Sequence, residues 1–377
     1  MRGLHLADLH LGKRLKEFSL MDEQRDVLNQ VIAYCQGNHV DFVILAGDVF
    51  DKVIPSVEAM ELFEEFLADL SMLQIKVLVL GGNHDNAERL AYLGTFLKKH
   101  DIHPVTEYKG AVEKILWEKD GERVAFHMLP FVKPADVRRF LPEEEKAALV
   151  SYHDAVKTAL QTVVLENGAV NILVAHQFVT GSSRCESEDV TVGGLDNVGA
   201  EVMEDFDYVA LGHIHSPQTI AKHEYMRYSG TPLKYSFSEC DQVKSMTVLD
   251  IEQGQVKVTT EPFKVLHDLK KLKGGFAELA NLETAKQYED CYVHVTLTDE
   301  EEKPNVLGEL RSFYPKLCFL TFENSRTARS AEAAELDLVK SPVELITEFF
   351  QQRSGHELSQ EQKSYVEELL AAVQEEQ

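Results

Sequence analysis

Thiols are scarce and scattered in this chain: Cys35, Cys185, Cys240, Cys291 and Cys318 are odd in number and never form a Cys-x-x-Cys pair. That excludes a disulfide framework and a zinc ribbon, and it fits a reducing compartment. No run of about eighteen apolar residues occurs, and the first residues lack the apolar core of a secretory signal, so a soluble cytoplasmic protein is expected. There is no Gly-x-x-x-x-Gly-Lys-Ser/Thr loop, so any ATP dependence must come from another protein. Positive charge is the last deficit. Lys and Arg number 38 against 63 Asp and Glu, a formal net charge of -25. Because Lys and Arg supply most non-specific affinity for nucleic-acid phosphates, this balance argues against a free-standing, tight DNA binder. At 377 residues the chain is long enough for two or three domains.

What the chain does have is five short polar motifs, each at the end of an apolar run: Asp8-Leu9-His10, Gly47-Asp48-Val49-Phe50-Asp51, Gly82-Asn83-His84-Asp85, His176, and Gly212-His213-Ile214-His215. The preceding runs read as buried strands that release polar side chains at their carboxyl ends, where α/β enzymes assemble their sites. A strand ending in Asp-x-His is weak evidence by itself, since an ordinary turn looks the same. Gly-Asn-His-Asp is stronger, because Gly81 and Gly82 allow a sharp exit that sets an amide oxygen beside an imidazole. The pooled donors are carboxylate, amide and imidazole without thiolate, a set that suits octahedral Mn²⁺ first, with Mg²⁺, Fe and catalytic Zn²⁺ also compatible.

In this order the motifs resemble the calcineurin-like metallophosphoesterase superfamily, over the first two-thirds of the chain. Three local stretches, residues 6–12, Gly82-Asn83-His84-Asp85 with Glu88-Arg89-Leu90, and residues 228–239, look like its SbcD-like nucleases, which act on DNA double-strand breaks. The resemblance implies an α/β, four-layer sandwich of two mixed sheets flanked by helices. It implies one metal among Asp8, His10, Asp48 and His215 and a second among Asp48, Asn83, His176 and His213, with Asp48 bridging. A shared carboxylate holds two ions about 4 Å apart, so that both can stabilise the attacking and leaving oxygens. His84 is implied as general acid, and Asp51 matches the acid that orients this histidine in many relatives, although archaeal repair nucleases carry a His at that place. The implied activities are a 3′ to 5′ exonuclease on double-stranded DNA ends and an endonuclease on single strands or hairpins.

Alternating strand and helix patterns define a nuclease domain over residues 1–264, with helices expected over 21–35, 57–73, 87–99 and 151–166. Strands over 124–129, 245–251 and 255–260 follow closely enough to suggest antiparallel additions. Residues 265–323 restart as strand, helix (276–286), strand (291–297), helix (306–314) and strand (317–322), a small α/β cap by resemblance. A polar linker over 324–340 leads to a helical hairpin over 341–377, opened by the capping boxes Ser341-Pro342-Val343-Glu344 and Ser359-Gln360-Glu361-Gln362. Its apolar stripes must pack on something. By resemblance that surface binds an SbcC-type ATPase of the chromosome-maintenance kind, within a nuclease homodimer joined to two ATPase subunits.

The remaining polar groups read plainly. His5 is a satisfied core residue, the acidic run over residues 186–189 a solvated loop, and Asp85 either a support for the site or the cap of a helix beginning at Ala87. The alternative activities are a phosphatase or phosphodiesterase acting on a small molecule or protein, which would need neither cap nor hairpin, and a non-catalytic adaptor, which would lack ligands.

Overall fold

A computed structural model describes residues 1–188, 196–220, 223–301 and 303–324, with seven isolated positions beyond (347, 350, 358, 359, 362, 363 and 365). Two six-stranded sheets organise the larger, amino-terminal part. The first runs Gln255–Pro262, Ser245–Glu252, Arg2–Leu6, Phe42–Leu45, Lys76–Leu80, Ile102–Val105. Its last four strands are parallel, and the first two are an antiparallel hairpin laid against Arg2–Leu6. The second runs Gln218–Ile220, His223–Tyr228, Tyr208–Gly212, Val170–His176, Glu122–Leu129, Glu113–Lys119. Its four central strands are parallel and its edges antiparallel. Both sheets are therefore mixed, as expected.

The central strands are buried on both faces, which is why they read as unbroken apolar runs. Alternate residues separate the two sides. Phe42, Ile44, Leu78 and Leu80 from the first sheet meet Phe126, Met128, Ile172 and Val174 from the second in one core. Leu173, Ala175, Val209 and Leu211 point the other way, onto Ala155, Val156 and Ala159 of the helix Tyr152–Leu160. The helices Met21–Asn38 and Val57–Met72 pack together, and the second of them lies against Lys76–Leu80.

Three helix expectations need correction. Residues 87–99 form two short helices, Ala87–Leu90 and Gly94–Lys98, because Leu93 takes a left-handed φ of 59° just before Gly94. Residues 276–286 likewise divide into Phe276–Leu279 and Leu282–Lys286, the second capped by the Asn281 side chain at Glu283 N, 2.8 Å. The helix opened by Ser151 stops at Leu160, short of residue 166.

The chain clusters into two compact units, Met1–Lys271 with Tyr288–His294, and Leu272–Gln287 with the described residues from Val295 onward. A three-stranded sheet in the order Leu269–Gly274, Tyr292–Leu297, Leu317–Phe322 forms the accessory α/β segment. The linker beyond Asn324 and the helical hairpin over 341–377 lie outside the described residues, apart from the isolated positions. Among the described residues no helix is long and apolar enough to cross a membrane.

Candidate metal centre

All five motifs leave strands at one end of the two sheets. Parallel register aligns these ends: Leu6 lies opposite Leu45, Leu45 opposite Val79, and Ala175 opposite Leu211. The loops are then stitched together by backbone bonds, Asp8 N to Gly47 O and His10 N to Asp48 O, both 3.0 Å. Two glycines permit the crowding. A Cβ at Gly82 would overlap the Asp48 carboxylate, and one at Gly47, whose φ is 92°, would overlap the His176 ring.

Backbone strain marks the same place. Among the described residues, twelve that are not glycine have positive φ; Asp8, His10, Asp48 and His213 are buried, and the other eight are exposed turn or loop residues. Left-handed backbone at a residue with a side chain costs on the order of 1–3 kcal/mol and persists only where the surroundings over-determine it. Strain is thus confined, in the interior, to four of the nine residues singled out in the sequence.

The side chains converge from both sheets. His10 Nε2 lies 3.1 Å from His215 Nε2 and 3.7 Å from Asp48 Oδ2. His176 Nε2 lies 3.0 Å from Asn83 Oδ1 and 3.3 Å from Asp48 Oδ2, and His213 Nδ1 lies 2.9 Å from the same Asn83 oxygen. Asp8 accepts the His213 N–H at 2.9 Å. Donor atoms fall into three tight groups, Asp8 with His10 and His215, Asp8 with Asp48 and His176, and His10 with Asp48 and His84.

The residues fit divalent cations. Neighbouring ligands on an octahedral ion with bonds of roughly 2.1 Å stand about 3 Å apart, the spacing these donors already keep. His176 Nδ1 lies 2.8 Å from Ala46 O and so donates to it, which leaves Nε2 facing two oxygens, an arrangement that calls for positive charge between them, a proton or a bound cation. Electrostatics agree. Burial disfavours a charged His176, yet the Asp48 and Asp8 carboxylates outweigh it and push the ring up to about 9. Burial likewise opposes charge on Asp48, but His176 with His10 and His84 hold it well below the usual carboxylate range. Asp8 is raised by burial. His10 and His213 are lowered to about 3, chiefly by burial, and so present neutral rings, the form that ligates metals.

Positions 51 and 85 both contact the loops of the centre. His84 Nδ1 meets the backbone carbonyl of Asp51 at 3.1 Å, while the Asp51 carboxylate pairs with Lys13 Nζ at 2.7 Å. Asp85 does not cap the helix beginning at Ala87, a job done by Asn86. Its half-buried carboxylate supports the site, accepting N–H bonds from Val49, Phe50 and Gly82 at 3.0–3.2 Å and clasping two loops. The reading of residues 186–189 as a solvated loop is corrected for Glu188: it is buried, and Oε1 accepts the His215 N–H at 2.7 Å. Asp189 lies outside the described residues. Gln24 had no signal at all. It bonds His10 O at 2.7 Å and Gly12 N at 3.0 Å from the first helix, because the fold turns that helix face under the loop. His5 is a buried core residue, as expected, but only half satisfied: Nδ1 lies 3.0 Å from the Tyr208 hydroxyl, while Nε2 has no hydrogen-bond partner among the described residues.

Residues 1–217 match the family model of calcineurin-like phosphoesterases, and residues 265–354 match one described as the type 5 capsule protein repressor C-terminal domain. The chain belongs to the calcineurin-like phosphoesterase family. Within it, the chain is a member of the SbcD family of nucleases, being 30% identical over 379 residues to the SbcD component of the SbcCD nuclease of Staphylococcus epidermidis, with 99% of each covered. Two solved structures share similarity at scores too low to bear on the argument. One is a dimetal phosphatase from Danio rerio (12% identity, 70% of this chain and 98% of that one, TM-score 0.40). The other is an archaeal phosphodiesterase (11%, 69% and 100%, TM-score 0.30).

A cation that binds only the folded centre stabilises it by about 2.7 kcal/mol at a hundred times its dissociation constant. Adding Mn²⁺ to metal-stripped protein is therefore expected to raise the melting temperature, and Asp48→Asn to abolish the rise. A rise of equal size in Asp48→Asn would place the cation elsewhere.

Proposed function

We propose that this chain is the nuclease subunit of an SbcCD-type complex, hydrolysing DNA phosphodiesters with two divalent ions, Mn²⁺ by preference. The observation that carries the reading is the buried, strained cluster of carboxylates and imidazoles at the strand ends, in a chain alike throughout its length to a nuclease subunit. One ion is assigned to Asp8, His10, Asp48 and His215 and the other to Asp48, Asn83, His176 and His213. Bound there, the ions supply Lewis-acid polarisation of the phosphoryl group and activation of water. His84 suits the general acid. Its side chain is 23% exposed, whereas those of His10, His176 and Asp48 are 2% or less, so it can reach an incoming phosphodiester. The Asp51 backbone carbonyl accepts a proton from Nδ1, and Nε2 is assigned to deliver one to the leaving oxygen. We assign the exonuclease direction as 3′ to 5′ on double-stranded ends and the endonuclease action to single strands and hairpins. Purified protein with Mn²⁺ is expected to cleave linear DNA, and Asp48→Asn or His84→Gln to lower the rate by at least about 100-fold. Rapid hydrolysis of phosphate monoesters with no DNA cleavage, alone or with the ATPase, would make it a phosphatase instead.

The homodimer is assigned to an apolar groove of about 800 Å³ between the helix Val57–Met72 and the two short helices that follow Asn86. Met72, Tyr92 and Phe96 are 74%, 71% and 57% exposed there, too much large apolar surface for an isolated subunit. Glu64 and Arg89 both line it, one charge of each sign for a copy turned through a two-fold axis to pair with. Phe96→Asp is expected to halve the sedimenting mass; an unchanged mass would move the interface elsewhere. The ATPase is assigned to residues 341–377, whose deletion is expected to abolish co-purification with it while leaving DNA hydrolysis by the nuclease intact. Retained co-purification would reject that assignment.

A further inference from the structure

His215, three residues beyond the strand Tyr208–Gly212, is held through its backbone and through its ring. Its backbone N–H donates to Glu188 Oε1 at 2.7 Å. Its carbonyl accepts from Lys244 Nζ at 2.8 Å and from Thr231 N at 3.1 Å. Its Nδ1 lies 2.7 Å from Ser187 Oγ, and that hydroxyl lies 2.6 Å from Glu239 Oε1. The other Glu239 oxygen is 2.6 Å from Lys244 Nζ, an ion pair whose side chains are 0% and 1% exposed. Lys244 Nζ also donates to Gln242 Oε1 at 2.8 Å.

Counting protons along this chain of contacts fixes the state of the histidine. Lys244 can only donate, so Glu239 is held as the carboxylate, which can only accept. Ser187 has one hydroxyl proton, and Glu239 takes it. At the remaining contact Ser187 Oγ must accept, so His215 Nδ1 carries a proton and Nε2 presents its lone pair. That lone pair is the one 3.1 Å from His10 Nε2, inside the proposed metal centre.

We propose that Ser187, Glu239 and Lys244 are positioning residues that lock His215 in the Nδ1–H tautomer, making Nε2 a pre-set metal ligand. The ligand role rests on the proposed metal reading; the tautomer lock does not. Buried ion pairs are often no more stabilising than apolar side chains of the same shape, and the Glu239–Lys244 pair is placed where it orients Ser187 and the His215 carbonyl. Partners that hold a ligating imidazole are worth about 10–100-fold in metal affinity.

Two measurements on the full-length, metal-stripped protein separate the parts. With ¹⁵N-labelled histidine, and the His215 signals identified by their loss in His215→Gln, wild type is expected to show the Nδ1–H pattern. Ser187→Ala is expected to lose it in favour of Nε2–H, and Ser187→Thr, which keeps the hydroxyl, to restore it. By titration calorimetry, Mn²⁺ affinity is expected to fall about 10–100-fold in Ser187→Ala and to recover in Ser187→Thr. An Nε2–H pattern in wild type, or the same pattern in wild type and Ser187→Ala, overturns the proposal. A wild type that shows the Nδ1–H pattern, loses it in Ser187→Ala, yet takes up no Mn²⁺ keeps the lock and removes the metal reading.

Discussion

Two carboxyl groups, Asp8 and Asp48, sit with almost no solvent exposure where two sheets end, and the surroundings are organised around the negative charge that Asp48 keeps. An isolated carboxylate in such a place would take up a proton rather than stay charged. Asp48 stays charged because imidazoles crowd it, and His176 is drawn toward the cationic form by the same contact. The strained backbone at Asp8, His10, Asp48 and His213, the missing side chains at Gly47 and Gly82, and the Asp85 clasp all serve to bring these groups to hydrogen-bond distance. Each of those features is unfavourable or neutral alone. Together they make a place that a divalent cation completes.

The centre also ties the two sheets together. Asp8, Asp48 and Asn83 leave the first sheet, while His176, His213 and His215 leave or follow strands of the second. Contacts such as His176 with Asp48 and His213 with Asn83 therefore close the top of the inter-sheet core. Site and core are coupled: a shift of one sheet against the other would pull the donors apart, and the tight packing of Phe42 against Phe126, with ring centroids 5.1 Å apart, resists that shift.

The overall acidity of the chain runs against binding a polyanion, and the proposed function must live with it. Cations at the centre would reverse the sign locally, and Lys13 beside Asp51 adds a basic side chain at the same rim. Holding a duplex over a longer path is a task better suited to a partner than to this chain alone. That division of labour agrees with the absence of a phosphate-binding loop from the sequence.

How much could be read in advance follows the range of the interactions involved. The strands, their burial on both faces and the polar residues that follow them were legible because apolar runs and abrupt polar endings are local signals. By itself the sequence determined an α/β chain with hard and borderline donors at five strand ends. It was misleading where a local pattern meets a long-range partner. Residues 87–99 look like one helix, yet the chain breaks at Leu93; Glu188 sits in an acidic run, yet it is buried against His215, 27 positions away. At Asp51 the residue type matches an acid of the family, while its backbone carbonyl contacts His84 and its carboxylate pairs with Lys13. Only the tertiary structure decided which donors meet, which tautomers their neighbours enforce and which backbone positions carry strain. Those depend on distances between residues up to 205 positions apart, which the two packed sheets set and no local pattern encodes.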